Sequence, residues 1–268
     1  MLDKVRYFHY NVVAIGVWRS LVSRLVRVQE ASGSNPDTPT KQESPSSGWT
    51  FFMKGAIMSE KYLFDFDGTL VDSMPTYVGV MLRILDENQI SYGSDLIKII
   101  TPLGFLNTAR YFRDTLGMEM PVDDIIALMR QYATYEYTYN IPAKENVIDV
   151  LKALKARGAD LNVLTASPHT SLDPCLKRLG IWELFSNVWS CDDFNTTKAD
   201  PNIYRMVAEK IGSPVEDIWF LDDNINADRT AMEAGMKVCG VYDDSSKESV
   251  EEMNNLCHRY IYNFNELL

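Results

Sequence analysis

The chain has 268 residues, 46% of them hydrophobic, and carries a net charge of −11 with a pI near 4.8. That length supports one domain with an insert around a proper core, and the acidity argues against nucleic acid or an anionic membrane as the main partner. Cys175, Cys191, Cys239 and Cys257 lack the paired spacing of a zinc site or disulfide framework and read as reduced thiols of a cytoplasmic protein.

Residues 1–57 differ from the rest. Seven Lys/Arg against four Asp/Glu give this stretch +3, so the remainder holds −14. The apolar run 12–18 stops at Arg19, far short of the roughly 20 residues that span a bilayer. Residues 31–48 are rich in Ser, Pro and Thr, a composition that cannot bury enough surface to fold alone. A start at Met58, or a tail without function, is the expectation here, against a targeting or anchoring segment.

From residue 58 on, glycine and proline punctuate alternating strand and helix patterns, the sign of a parallel sheet with helices on its faces. The first strand is expected at 62–66 and carries Asp65 and Asp67 at its end, before a turn at Gly68. Two carboxylates two residues apart at the end of a strand point the same way if the strand geometry persists. At about 4 Å they repel by roughly 4 kcal/mol at an effective dielectric near 20. Such a pair is tolerated where a cation lies between the carboxylates or one keeps its proton, and both conditions belong to catalysis. An acidic turn after an edge strand is the plainer alternative.

Between 74 and 142 only helical periodicity is visible. Tyr77, Val80, Met81, Ile84 and Leu85 form one apolar stripe, and Ile125, Leu128, Met129 and Tyr132 another. Tyr132, Tyr135, Tyr137 and Tyr139 are expected to pack between helices, with the lining of a pocket as the alternative. Arg110 and Arg113 are expected to face solvent. Further strands are expected at 160–164, 187–190, 217–221 and 237–241. Helices at 143–157, 171–179, 203–211 and 227–234 run to Gly158, Gly180, Gly212 and Gly235, where glycine serves as a left-handed cap. In open parallel sheets ligands sit beyond the carboxyl ends of the strands, where the acidic pairs Asp65/Asp67 and Asp222/Asp223 fall.

The run Asp65-Phe66-Asp67-Gly68-Thr69 resembles the first motif of the haloacid dehalogenase-like superfamily. Thr165-Ala166-Ser167-Pro168 is similar to its second motif, Thr196-Thr197-Lys198-Ala199-Asp200-Pro201 to its third, and Leu221-Asp222-Asp223-Asn224 to its fourth. All four stand in the expected order, and the likeness spans about 60–268. It implies an α/β fold: a Rossmann-like parallel sheet core with helices on both faces, at 58–74 and 143–268, plus a small all-helical cap domain at 75–142. The arrangement is that of subfamily I with a C1-type cap, similar to phosphoglycolate phosphatases.

The resemblance also implies a chemistry. Asp65 is the nucleophile that takes up the phosphoryl group, and Asp67 the general acid and base. Lys198, Thr165 and Ala166 bind the phosphoryl oxygens. Mg2+ is held by Asp65, the Asp67 backbone carbonyl and Asp223, with Asp222 acting directly or through a water. The substrate is a small phosphorylated metabolite and the protein a monomer or homodimer. Asp67 sets the chain apart from dehalogenases and phosphonatases, and Thr69 favours a hydrolase over a phosphosugar mutase. That mutase and a non-catalytic binding relative are the other readings. The third motif lacks a glycine before Lys198 and has Ala199 where proline is frequent. The fourth has Ala227 between Asn226 and Asp228 where an aspartate is usual, so the support of Lys198 and of the metal loop is in question.

Overall fold

The computed structural model describes residues 59–100 and 103–268; the readings made for 1–57 and for a start at Met58 lie outside the described residues. Strands β1 (Lys61–Phe64), β2 (Asp160–Thr165), β3 (Asn187–Ser190), β4 (Ile218–Asp222), β5 (Lys237–Val241) and β6 (Arg259–Ile261) form one sheet in the order β3-β2-β1-β4-β5-β6. Every neighbouring pair is parallel. The chain passes from β1 through α1 (Met74–Glu87), α2 (Leu96–Ile100), α3 (Gly104–Asp114), α4 (Val122–Tyr139) and α5 (Val147–Ala156) to β2. Later crossovers are α6 (His169–Arg178), α7 (Pro201–Ile211), α8 (Ile225–Ala234) and α9 (Val250–Leu256).

Strands buried on both faces need apolar side chains in both directions, and the two directions build two cores. Phe64, Val163, Leu221 and Cys239 pack with Val150, Leu154, Leu172 and Leu176 of α5 and α6 on one face. Leu63, Leu164, Phe220 and Val238 pack with Ile203, Val207, Ala227 and Ala231 of α7 and α8 on the other. Full burial of such a side chain contributes about 1.5–3 kcal/mol. The four glycines expected to close helices, Gly158, Gly180, Gly212 and Gly235, all have positive φ.

Several boundaries differ from expectation, most by one or two residues. β1 closes at Phe64 rather than residue 66, because the Phe66 carbonyl accepts from both Leu70 N (2.9 Å) and Val71 N (3.0 Å) and turns the chain. The helix expected from 143 begins at Val147. Residues 143–146 are occupied elsewhere: Ala143 bridges Val71 in antiparallel fashion, and Lys144 N donates to Leu70 O at 3.0 Å. The short edge strand β6 was not expected, since an exposed Arg259 and a half-buried Tyr260 give no apolar run.

Helices α1 to α4 bury their own apolar cluster, in which Val80, Met81, Ile84 and Leu85 meet Ile125 and Met129. The two stripes read from the sequence therefore face each other. The ends of this insert leave the sheet side by side, with Asp72 N donating to Pro142 O at 3.0 Å. Helix α4 changes its buried face midway. Residues from Val122 to Tyr132 pack inside the insert, while Tyr137 joins the sheet-side core; the helix also lies against α6, where Arg178 donates to Ile141 O and, at 3.3 Å, to Tyr137 O.

Candidate active site

The register Phe64↔Leu221 places Asp65 and Asp222 level, one residue beyond β1 and at the tip of β4. Asp65 N donates to Leu221 O at 2.8 Å and holds that alignment. Carboxylate oxygens of Asp65, Asp222 and Asp223 lie within 4.8 Å of one another, all three residues being buried. Lys198, from the loop between β3 and α7, donates to Asp65 and, at 2.8 Å, to Asp222. Burial lifts Asp65 well above the usual carboxylate range, with Asp222 and Asp67 adding to it and Lys198 offsetting part. Asp223 is raised likewise, by burial and then by Asp222 and Asp65. Burial works against the Lys198 charge, but Asp222 and Asp65 outweigh it and hold the ammonium protonated.

Three buried carboxylates against one ammonium leave uncompensated negative charge among hard oxygen donors. A divalent cation with a preference for oxygen relieves that repulsion, and the donor set suits Mg2+. Asp222 spends both oxygens on protein donors, Oδ2 on Lys198 and Oδ1 on Asn224 N at 2.7 Å. Among the described residues Asp223 receives only the Thr69 hydroxyl, at 3.4 Å, so its carboxylate is the freer of the two to meet a cation. Its carboxylate lies against Gly68, which has φ +75°, and a Cβ there would sit 2.7 Å from Asp223 Cγ. Glycine is thus required twice at this position, by the backbone conformation and by the close approach.

Asp67 does not join the cluster. β1 ends at Phe64, so strand geometry, the condition on which Asp65 and Asp67 would point the same way, does not persist to residue 67. Oδ1 of Asp67 accepts from Ser73 Oγ at 2.7 Å and from Tyr137 OH at 2.5 Å, and Oδ2 accepts from Ser167 Oγ. Thr165, buried at the end of β2, accepts Ser167 N at 3.0 Å on its hydroxyl oxygen, which leaves the hydroxyl hydrogen to donate. Ala166 is exposed at the rim beside it.

The sequence departures have structural answers. Lys198 is steadied by the fully buried Tyr204, whose hydroxyl lies 3.2 Å from Lys198 O and 3.1 Å from Ala227 O. Asp200 caps α7 through Asn202 N and receives the Thr196 hydroxyl at 3.1 Å. Asp228 is fully buried; Cys257 Sγ lies 3.3 Å from its Oδ2, and Oδ1 has no partner among the described residues. Burial, and then Asp222, raise its carboxyl well above the ordinary range.

Ser73, Tyr204 and Lys144 were not given a role from sequence, Ser167 was named only within the second motif, and Tyr137 only as one of four tyrosines with a pocket lining as the alternative. Lys144 ties Gly68 O (2.7 Å), Tyr242 O (2.6 Å) and Asp243 (2.9 Å) together. Of the four tyrosines of α4, Tyr137 alone meets a predicted site residue. Tyr135 and Tyr139 are 50% and 62% exposed, and Tyr132 lies under Arg83. Helical phase separates them, since 137 sits about 140–160° round from 132, 135 and 139; the apolar stripe read from the sequence runs through 132 and does not point to 137. Arg110 and Arg113 are exposed, and Arg113 pairs with Asp114.

Residues 62–241 match the family described as haloacid dehalogenase-like hydrolase. A phosphoglycolate phosphatase of Escherichia coli O157:H7 is 31% identical over 200 residues, covering 66% of this chain and 79% of that protein. Among solved structures, one from Thermotoga maritima provisionally assigned as a β-phosphoglucomutase superposes with TM-score 0.70 at 20% identity, over 78% of this chain and 96% of the other. A predicted phosphoglycolate phosphatase from Haemophilus somnus gives TM-score 0.66 at 23% identity, over 80% and 98%. The chain belongs to the haloacid dehalogenase-like hydrolase family. It is an enzyme, a phosphatase of that family.

Proposed function

We propose that the enzyme is a magnesium-dependent phosphatase that hydrolyses a small phosphomonoester through an aspartyl-phosphate on Asp65. The observation that carries this reading is the buried meeting of Asp65, Asp222 and Asp223 with Lys198 beyond the carboxyl ends of β1 and β4. Asp65 attacks phosphorus as the ester P–O bond breaks. Asp67 gives the departing alkoxide a proton, then takes one from the water that cleaves the aspartyl-phosphate, releasing inorganic phosphate and restoring the Asp65 carboxylate. Lys198, the Thr165 hydroxyl and the Ala166 N–H balance charge on the equatorial oxygens. Asp65, the Asp67 carbonyl, Asp223 and Asp222 would hold Mg2+, which as a Lewis acid polarises the phosphoryl oxygens.

On this reading helices α1 to α4 act as a cap that excludes water and selects the substrate. The substrate is a small phosphorylated metabolite, and phosphoglycolate comes first because of the relatives at 31% identity. The thiols, three buried and one half-buried, none in a disulfide, suit a reducing compartment, and the reading places the enzyme in the cytoplasm. Among the described residues no helix is long and apolar enough to cross a membrane.

The test is phosphate release from 2-phosphoglycolate, hexose phosphates and nucleoside monophosphates, with and without chelator, beside Asp65→Asn. Release lost with chelator and in the variant is the expected result. Isomerisation of a hexose 1-phosphate without release would favour the mutase. Binding is read separately: at Mg2+ a hundred times its Kd the folded state gains about 2.7 kcal/mol, and Asp223→Asn should abolish that thermal shift.

A further inference from the structure

We infer that Tyr137, carried by the insert helix α4, is a positioning residue that aims the Asp67 carboxylate at the leaving oxygen of the substrate. The inference rests on the phosphatase reading above. It starts from geometry: Tyr137 OH donates to Asp67 Oδ1 at 2.5 Å. Its ring stacks on Phe66, the residue between the two catalytic aspartates, with centroids 5.9 Å apart. Arg178 of α6 fixes this end of α4 through the carbonyls of Tyr137 and Ile141. The phenol is therefore anchored to the core at its ring and backbone, and its hydroxyl serves the carboxylate.

Three hydroxyls meet at Asp67, and they come from three parts of the chain. Ser73 belongs to the segment entering the insert, Ser167 to the loop after β2, and Tyr137 to the last turn of α4. A carboxylate free to rotate about χ2 presents its proton to the wrong place most of the time. Donors on both oxygens select one rotamer, and Tyr137 shares with Ser73 the task of holding Oδ1. A general acid supplies about 10²–10⁴-fold when it is placed within hydrogen-bond reach. Misplacement by about 1 Å can cost 10²-fold. The insert thereby contributes to the chemistry itself, beyond enclosing the substrate.

The test is Tyr137→Phe, which keeps the ring and its stacking and removes one O–H. Single-turnover phosphorylation of Asp65 is compared for p-nitrophenyl phosphate and for the fastest aliphatic ester of the panel above. An alkoxide needs protonation to leave and nitrophenolate scarcely does. The variant should phosphorylate roughly 10- to 100-fold more slowly with the aliphatic ester. With p-nitrophenyl phosphate it should stay within about twofold, and KM for the aliphatic ester should change little. The ratio of the two substrates is taken in one preparation, so a reduced folded fraction cancels from it. Equal loss on both substrates, or none on either, overturns the positioning role while the phosphatase reading stands. A wild-type enzyme inert towards every ester in Mg2+ overturns both.

Discussion

Gly68→Ala tests the tightest contact in the site. A side chain at φ +75° adopts the left-handed conformation, at about 1–2 kcal/mol for a residue with a Cβ. The new Cβ would also lie 2.7 Å from Asp223 Cγ and Oδ2 and 2.8 Å from Oδ1. Asp223 is 8% exposed and cannot swing freely into solvent, so the overlap adds about 1–3 kcal/mol, as overpacking does elsewhere. The sum is about 2–5 kcal/mol, and at roughly 2–4 °C per kcal/mol for a folded unit of this size the midpoint should fall by about 4–20 °C. The assay is urea and thermal unfolding in chelator, so that metal binding does not enter, for wild type, Gly68→Ala, Asp223→Ala and the double variant. Removing the carboxylate should restore the steric part, giving a coupling of about 1–3 kcal/mol between the sites. A Gly68→Ala protein as stable as wild type, or one equally destabilised in both backgrounds, would refute the reasoning.

Two further predictions concern pH. Asp228 in the unfolded chain titrates near 3.9, whereas burial raises it far above that when folded. The unfolded state therefore loses the proton first, and this contribution to stability, full at low pH, declines as pH rises between the two values. Asp228→Asn should accordingly gain on wild type from pH 5 to pH 8 in unfolding midpoint, and a gap independent of pH would sink the idea. His169 has the same sign for a different reason: when charged, its ring donates to Asp173 and Asp193, at 2.7 and 2.9 Å, and both raise its pKa. Its stabilisation is complete below about 6.5 and lost as pH climbs through the folded value. Because the ring is 39% exposed, the effect should be no more than about 1 kcal/mol. His169→Gln should cost stability at pH 6 and almost none at pH 9; equal cost at both would remove the charge argument.

Five of the six strands and their order of appearance were legible, because strands of a buried parallel sheet write short runs rich in apolar residues; the polar edge strand β6 was not. Helix ends were legible where a glycine marks them. The segment 143–146 was misread as helix because its backbone is committed to Leu70 and Val71, far off in sequence. The acidic pairs and Lys198 could be named from local motifs, yet their division of labour could not. That Asp222 faces Lys198 while Asp223 presses on Gly68 depends on the register of β1 with β4. Tyr137 was hidden for a different reason. Helix α4 changes partners halfway along, so one stripe is buried at its start and another at its end, and a single amphipathic pattern does not describe both.

The paired connectors at Val71–Ala143 and Asp72–Pro142 have a consequence for how such a chain can change. The insert departs and returns through adjoining points, so whatever lies between them closes a loop whose ends are already fixed. Lengthening that loop costs little, since closure entropy grows only with the logarithm of its length. β1 and β2, and the carboxylates beyond them, need not shift when the intervening helices are lengthened, shortened or exchanged. The sheet is in this sense a socket and the insert a fitting, and on the proposed reading substrate preference can be replaced with it without rebuilding the machinery beneath. If Tyr137 positions Asp67 as inferred above, it marks the limit of that freedom, because a replacement would then have to bring a hydroxyl back to Asp67.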